Sequence, residues 1–270
     1  MHWTNTLSRL TGRIADTRFP RPVQRLINGG YVRIIGVDMT EFAPADTYPT
    51  LNHFFARRLA NPRAFDANMD TLIAPCDSSV QGFGRLTGES LLQVKGIDYS
   101  VRDLLTTHSR HVDRAVDGAF LSLYLSPRAY HGYHAPAALR VERLIHVPGA
   151  LVPVAPFMAN RRPGLFARNE RVVLEGRRLS GQYFWIVFVG ATNVGSIGID
   201  FEPALQTNTG TTGVRVYECG DRLVAKGEYL GAFRMGSSML LLEETRAAAP
   251  SSLGMTRVRF GDPLPWPPNE

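Results

Sequence analysis

Beyond Pro44 the chain is cut into short apolar runs of strand length, and few stretches have helical spacing. The runs are Thr71 to Ala74, Ser90 to Lys95, Ala119 to Leu125, Leu139 to His146, Arg171 to Leu174, Gln182 to Val189 and Asn193 to Ile199. Val214 to Tyr217, Arg222 to Ala225, Met239 to Leu242 and Thr256 to Arg259 complete the set. Gly, Pro and Asn turns separate them. Helices do not alternate with these runs, which argues against a doubly wound parallel sheet. The expected class is α+β and β-rich, with predominantly antiparallel sheets in one body over residues 66–270. Two short helices are expected. Thr50 caps Leu51 to Leu59 ahead of Pro62, and Ser100 with Asp103 forms a capping box for a helix through Leu105. The proline-rich tail from Asp262 onward is expected to lie over the surface. There is no internal repeat and no low-complexity linker.

Residues 1–65 read differently. Positions 1–35 hold Arg9, Arg13, Arg18, Arg21, Arg25 and Arg33 against one acid, Asp16, a net +5 in a chain of +6. Trp3, Leu7, Leu10 and Ile14 recur at helical spacing, and Val23, Leu26 and Ile27 follow Pro20 and Pro22. Short amphipathic helices with arginine flanks suit an anionic lipid surface, although helices docked on their own domain would show the same pattern. A nucleic-acid partner is not expected, because no basic stripe with interleaved aromatics appears later. At 44% hydrophobic residues the chain can bury a large core. No segment approaches the ~18 apolar residues of a membrane span, and the N-terminus lacks a secretory apolar region. Cys76 and Cys219 form no framework, as suits a reducing compartment.

Three groups could carry chemistry. Ser126-Pro-Arg-Ala-Tyr-His131-Gly-Tyr-His134 follows an apolar strand, and its two histidines lack the further ligands of a zinc site, so no metal is expected. Asp77 ends a short apolar run before two serines, as turn residues also do. The third group is Gly236-Ser237, within Gly227 to Glu243. A serine hydroxyl can attack the preceding carbonyl, and glycine leaves that carbonyl unshielded. The resulting ester can be eliminated to dehydroalanine, and hydrolysis then leaves a pyruvoyl group. The same residues are also the composition of a turn entering a buried strand. Asp77, His134 and Ser237 supply an acid, a base and a nucleophile.

The chain resembles the phosphatidylserine decarboxylase family in its bacterial membrane-associated form. The likeness spreads over most of residues 35 to 245. It runs through Tyr48-Pro-Thr-Leu-Asn-His-Phe-Phe-Ala-Arg, Ala74-Pro-Cys-Asp77, Gln93-Val-Lys-Gly96 and Tyr124-Leu-Ser-Pro-Arg-Ala-Tyr-His131-Gly-Tyr-His134. It continues through His146-Val-Pro-Gly, Leu165-Phe-Ala-Arg-Asn-Glu-Arg171, Val189-Gly-Ala-Thr-Asn-Val-Gly-Ser-Ile197 and Gly231-Ala-Phe-Arg-Met-Gly-Ser237. The family's Leu-Gly-Ser-Thr cleavage motif stands here as Met235-Gly236-Ser237-Ser238, while Gly195-Ser196 reads as a turn.

The resemblance implies a proenzyme that cleaves itself at Gly236-Ser237 into residues 1–236 and 237–270, which stay associated through Met239 to Leu242. It implies a charge relay in which Asp77 orients His134 and His134 deprotonates Ser237. Ser237 then becomes a covalent pyruvoyl cofactor that forms a Schiff base with phosphatidylserine and releases phosphatidylethanolamine. His131 is the candidate for acid/base work or carboxylate contact in that second stage, against a plain bond to a backbone carbonyl. The implied location is peripheral, on the cytoplasmic face of the cell membrane at an anionic surface, with a homodimer left open. A serine hydrolase using Asp77, His134 and Ser237 and a non-catalytic lipid-binding module are the alternatives.

Overall fold

The computed structural model describes residues 3–86, 100–155, 164–192, 196–234, 237–245, 257–264 and 266. The strand expected at Ser90 to Lys95 and the glycines of Gly195-Ser196 and Gly236-Ser237 fall outside these residues.

Eight strands form one antiparallel sheet: β2 (Ser78–Arg85), β3 (Ala119–Leu125), β5 (Leu139–Val147), β6 (Arg171–Arg178), β7 (Tyr183–Val189), β9 (Arg215–Val224), β11 (Ser237–Glu243) and β12 (Arg257–Val258). Their order is β12-β2-β3-β11-β7-β6-β5-β9. A second sheet sets β10 (Tyr229–Phe233) between β4 (Gly132–His134) and β8 (Ile197–Ile199). A two-stranded pair joins β1 (Leu72–Ile73) to β13 (Pro263–Leu264). All these pairings are antiparallel.

The unbroken apolar runs of β7 and β11 follow from burial on both faces. Met239 and Leu241 join Phe184, Ile186 and Phe188 in a core closed by Tyr133, Leu230 and Phe233 of the small sheet. Leu240 and Leu242 join Trp185, Val187 and Val189 in a second core, closed by Leu104, Leu105, Leu165 and Phe166. With water on neither side, the alternation of a half-buried strand has no reason to appear. β11 lies between β3 and β7, with Ser237 opposite Leu125 and Ser238 opposite Val189.

Several boundaries differ from the sequence expectation. The two strands expected at 214–217 and 222–225 are one strand, β9, which accommodates Gly220 and Asp221 at positive φ. β2, which starts at Ser78 directly after Asp77, is not among the expected runs, and the histidine loop contains a strand, β4. The helix capped by Thr50 stops at Phe55; the Thr50 hydroxyl accepts from the His53 amide at 3.2 Å. Ser100 caps Val101–Leu105 as expected, accepting from the Asp103 amide at 3.1 Å. The start of the tail is not a surface strap: β13 pairs with β1, and Leu264 is buried. Trp266 packs on the first core and donates its indole N–H to Glu243.

The N-terminal residues form α1 (Trp3–Asp16) and α2 (Arg21–Ile35), followed by α3 (Leu51–Phe55). Polar contacts lock this segment onto the histidine loop. Tyr31 donates its hydroxyl to the Pro127 carbonyl at 3.3 Å, and the buried Arg57 guanidinium donates to the carbonyls of Arg128 and Ala129 at 3.4 and 3.0 Å. Phe42 and Phe54 lie against that guanidinium, 4.6 and 5.1 Å from its carbon. Tyr31 of α2 and Arg57 just beyond α3 therefore hold this segment against the loop that carries His131 and His134.

Candidate active site

His134 ends β4 opposite Tyr229 and stacks on Phe260, ring centroids 3.5 Å apart. Its Nδ1 is 2.9 Å from the Gly227 carbonyl, which can only accept, so Nδ1 carries the proton. The lone pair is then on Nε2, where the Tyr130 hydroxyl donates at 3.1 Å. Two glycines permit this arrangement by close approach. A Cβ on Gly132 would lie 2.1 Å from the Tyr130 hydroxyl, and one on Gly227 (φ 78°) would lie 2.3 Å from the Phe65 ring. Burial holds the His134 imidazole down at about 4; Arg63 and Arg58 push the same way, while the Gly227 carbonyl and Asp77 oppose them.

Asp77 does not hold His134 by hydrogen bonding, contrary to the sequence expectation. Its carboxylate accepts both Arg63 guanidinium nitrogens, at 2.5 and 3.0 Å, and the Phe260 amide at 2.8 Å. A bidentate arginine outcompetes a neutral imidazole for a carboxylate. Asp77 therefore reaches His134 only through its field, and the Gly227 carbonyl sets the tautomer. Arg63 also grips Glu41, which pairs with Arg259.

His131 is fully buried and donates Nδ1–H to the Ala129 carbonyl at 2.8 Å, the backbone bond weighed against a chemical role. Its Nε2 has no hydrogen-bond partner among the described residues, and the Phe55 ring meets the imidazole edge-on at 5.8 Å. Burial is the main cause that lowers this imidazole to about 4. The Phe233 amide donates to the His131 carbonyl at 3.0 Å, so His131 sits at the end of β10 from which the chain runs on to Ser237. His134 sits at the other end of that pairing. Ser237 opens β11 and is fully buried. Asp77, His134, Tyr130 and Phe260 are thus one cluster, while His131 meets the far end of β10, from which the chain continues to Ser237.

Sequence reasoning passed over Arg63 and Phe260, which come from remote stretches with no motif of their own, and gave no role to Gly227, although it opens the stretch that holds Gly236-Ser237. Tyr130 stood inside the histidine motif and was not singled out. Among the described residues, one His/carboxylate group has metal-ligand spacing: His111, Glu142 and Glu175. Arg177 already pairs with Glu142 at 2.7 Å, and Ser109 and the Trp185 indole donate to Glu175.

A fully buried serine opening a central strand, and a histidine cluster on the strand paired with the one that leads toward it, define a β-rich body that carries the residue types of hydroxyl and imidazole chemistry. The family model for phosphatidylserine decarboxylase matches residues 51–264. A phosphatidylserine decarboxylase proenzyme from Helicobacter pylori is 34% identical over 262 residues, covering 97% of this chain and 96% of its own length. Those from Halorhodospira halophila and an Anaeromyxobacter species are 40% and 36% identical, covering 90% and 96% of this chain and 83% and 93% of theirs. The chain belongs to the phosphatidylserine decarboxylase family.

Proposed function

We propose that this chain is a proenzyme that cuts itself between Gly236 and Ser237 and then decarboxylates phosphatidylserine to phosphatidylethanolamine. The observation that carries the reading is the placement of Ser237, buried at the head of a central strand where β10 leads in from the two histidines. His134 is the base. Its Nδ1 is held by Gly227, which leaves Nε2 to take the Ser237 proton in place of the one Tyr130 now donates. Asp77 contributes negative charge that favours the imidazolium, without touching it. The serine oxygen attacks the Gly236 carbonyl, and the amide becomes an ester with a free amine on residue 237. Loss of the 237 Cα proton expels the Gly236 carboxylate and leaves dehydroalanine; water then releases ammonia.

Position 237 fits the pyruvoyl group this leaves, because it is buried and a carbonyl there is shielded from bulk water. The group supplies an electrophile for the substrate amine and an electron sink for the departing carboxylate. His131 is the residue we assign to that second stage, since its Nε2 is buried, neutral and without a partner among the described residues. Membership of the family favours this over a serine hydrolase.

Intact mass of the purified protein tests the reading. Residues 237–270 should appear as a 34-residue fragment with a carbonyl-bearing, blocked N-terminus. A fully active preparation of uncut chain would overturn it.

A further inference from the structure

Beside β8 and the end of β10 lies a cavity of about 460 Å3, and Arg234 is one of its walls. Ser196, Gln206 and Thr209 line it as uncharged hydrogen-bonding groups. Its one carboxylate, Asp200, is already taken by Arg58 at 2.5 Å. Arg234 is held more loosely. Its amide donates to the Ser196 carbonyl at 3.1 Å, but the guanidinium is half-exposed and, among the described residues, meets one acid, Asp16 of α1, at 3.8 Å. A half-exposed pair at that distance stabilises little, so another anion can displace it.

The substrate's covalent structure says which anion. In phosphatidylserine four bonds separate the amine from the phosphorus, so the phosphate lies at most about 5 Å from the reacting nitrogen by standard bond lengths. The amine must come to residue 237. Residues 234 and 237 are at most about 10 Å apart, and an arginine reaches roughly 7 Å from its Cα, by the same bond lengths. The two reaches together exceed that separation, so Arg234 can meet the phosphate of a substrate whose amine is at position 237 and whose headgroup is directed toward it. A planar guanidinium also suits a phosphodiester, which it can grip by two hydrogen bonds. The exchange puts the headgroup at the C-terminal end of α1, whose exposed Leu10 and Ile14 lie within two turns of Asp16.

We infer that Arg234, with the Ser196–Thr209 cavity, binds the phosphodiester of the lipid headgroup by displacing Asp16. The inference rests on the proposed reaction at position 237, but its test does not require that reaction. N-acetyl-glycerophosphoserine has its amine blocked and keeps the phosphate; N-acetyl-O-methylserine lacks the phosphate. Equilibrium binding of both to the purified protein, by calorimetry or NMR, should show the first ligand bound more tightly. Arg234→Gln should weaken it by about 10- to 100-fold, the range for a charge-assisted contact, and Arg234→Lys by less. Neither variant should alter the phosphate-free ligand. Asp16→Asn should bind the phosphate ligand at least as well as the parent, whereas a merely structural ion pair would make Asp16→Asn as harmful as Arg234→Gln. Equal losses in those two variants, equal binding of the two ligands, or no binding of the phosphate ligand would each overturn the inference. Loss of CO2 release with binding intact would instead count against the decarboxylation reading.

Discussion

At the scale of single residues, the site depends on which nitrogen of His134 is free. Gly227 takes Nδ1–H, so Nε2 is the basic atom, and Tyr130 is a competitor for it, not a link in a relay. His134→Ala and Ser237→Ala should leave the chain uncut on a gel. Tyr130→Phe should cut normally, because it frees the lone pair the serine needs. An uncut Tyr130→Phe chain would move Tyr130 into the proton path. Asp77→Asn should slow cutting without abolishing it, since a field and not a hydrogen bond is lost. Burial of two neutral imidazoles also predicts a pH dependence. Both His131 and His134 sit at about 4 when folded, below the usual 6.5. Between those values the unfolded chain binds more protons, so stability is full above about 6.5, falls as pH falls, and levels off below about 4. Each contributes up to about 3 kcal/mol across that window. Denaturant midpoints of the uncut Ser237→Ala chain from pH 7 to 4.5 should fall, and less so with His131→Ala added. The histidines and serine were legible because their chemistry is written in their side chains. Arg63 and Phe260 were not, because nothing local says that residues 63 and 260 converge on Asp77.

Elements were legible where burial on both faces leaves an unbroken apolar run, as in β7 and β11, or where a cap stands in the sequence, as at Thr50 and Ser100. They were misread where tertiary pairing overrides local signals. β2 has no apolar run to announce it, yet β3 supplies its partners from Tyr124 back to Ala119. β9 passes Gly220 and Asp221 without ending, because β5 pairs on both sides of them with a register shift. β11 is the element on which most depends: alternate side chains enter both cores, and its last residue, Glu243, meets the buried Arg178 at 3.0 Å. Leu241→Ala should cost about 2–5 kcal/mol, the usual range for a buried leucine. Chemical denaturation of the Ser237→Ala chain measures it. A loss under 1 kcal/mol would show that the two cores close up around the strand more freely than their packing implies.

Across the whole molecule, the sheets and the N-terminal helices are one arrangement. Arg57 and Tyr31 bind the helices to the histidine loop, so a surface presented by α1 and α2 is presented together with the site. Leu26 and Ile34 are 76% and 83% exposed, far beyond what a docked helix needs, and Leu10, Ile14 and Val23 are exposed with them. No described helix is long and apolar enough to cross a membrane. We propose that this face lies on an anionic bilayer, the inner surface of the cell membrane, with arginines toward lipid phosphates. Leu26→Glu combined with Ile34→Glu should reduce sedimentation with anionic vesicles and leave cleavage intact. Parent binding should weaken as salt rises. Equal sedimentation of variant and parent would make the face a brace only.

The position of β11 has one more consequence. The proposed cut falls at its first residue, so the strand between β3 and β7 would belong to the shorter piece. Before the cut, the chain closes its sheet as an intramolecular event. Afterwards the same sheet is a complex of two polypeptides with its interface at the centre of the core. Unfolding then becomes dissociation, and recovery depends on two chains meeting again at a rate set by concentration. A molecule assembled this way is put together once, and its working lifetime is governed by how slowly that central strand comes out.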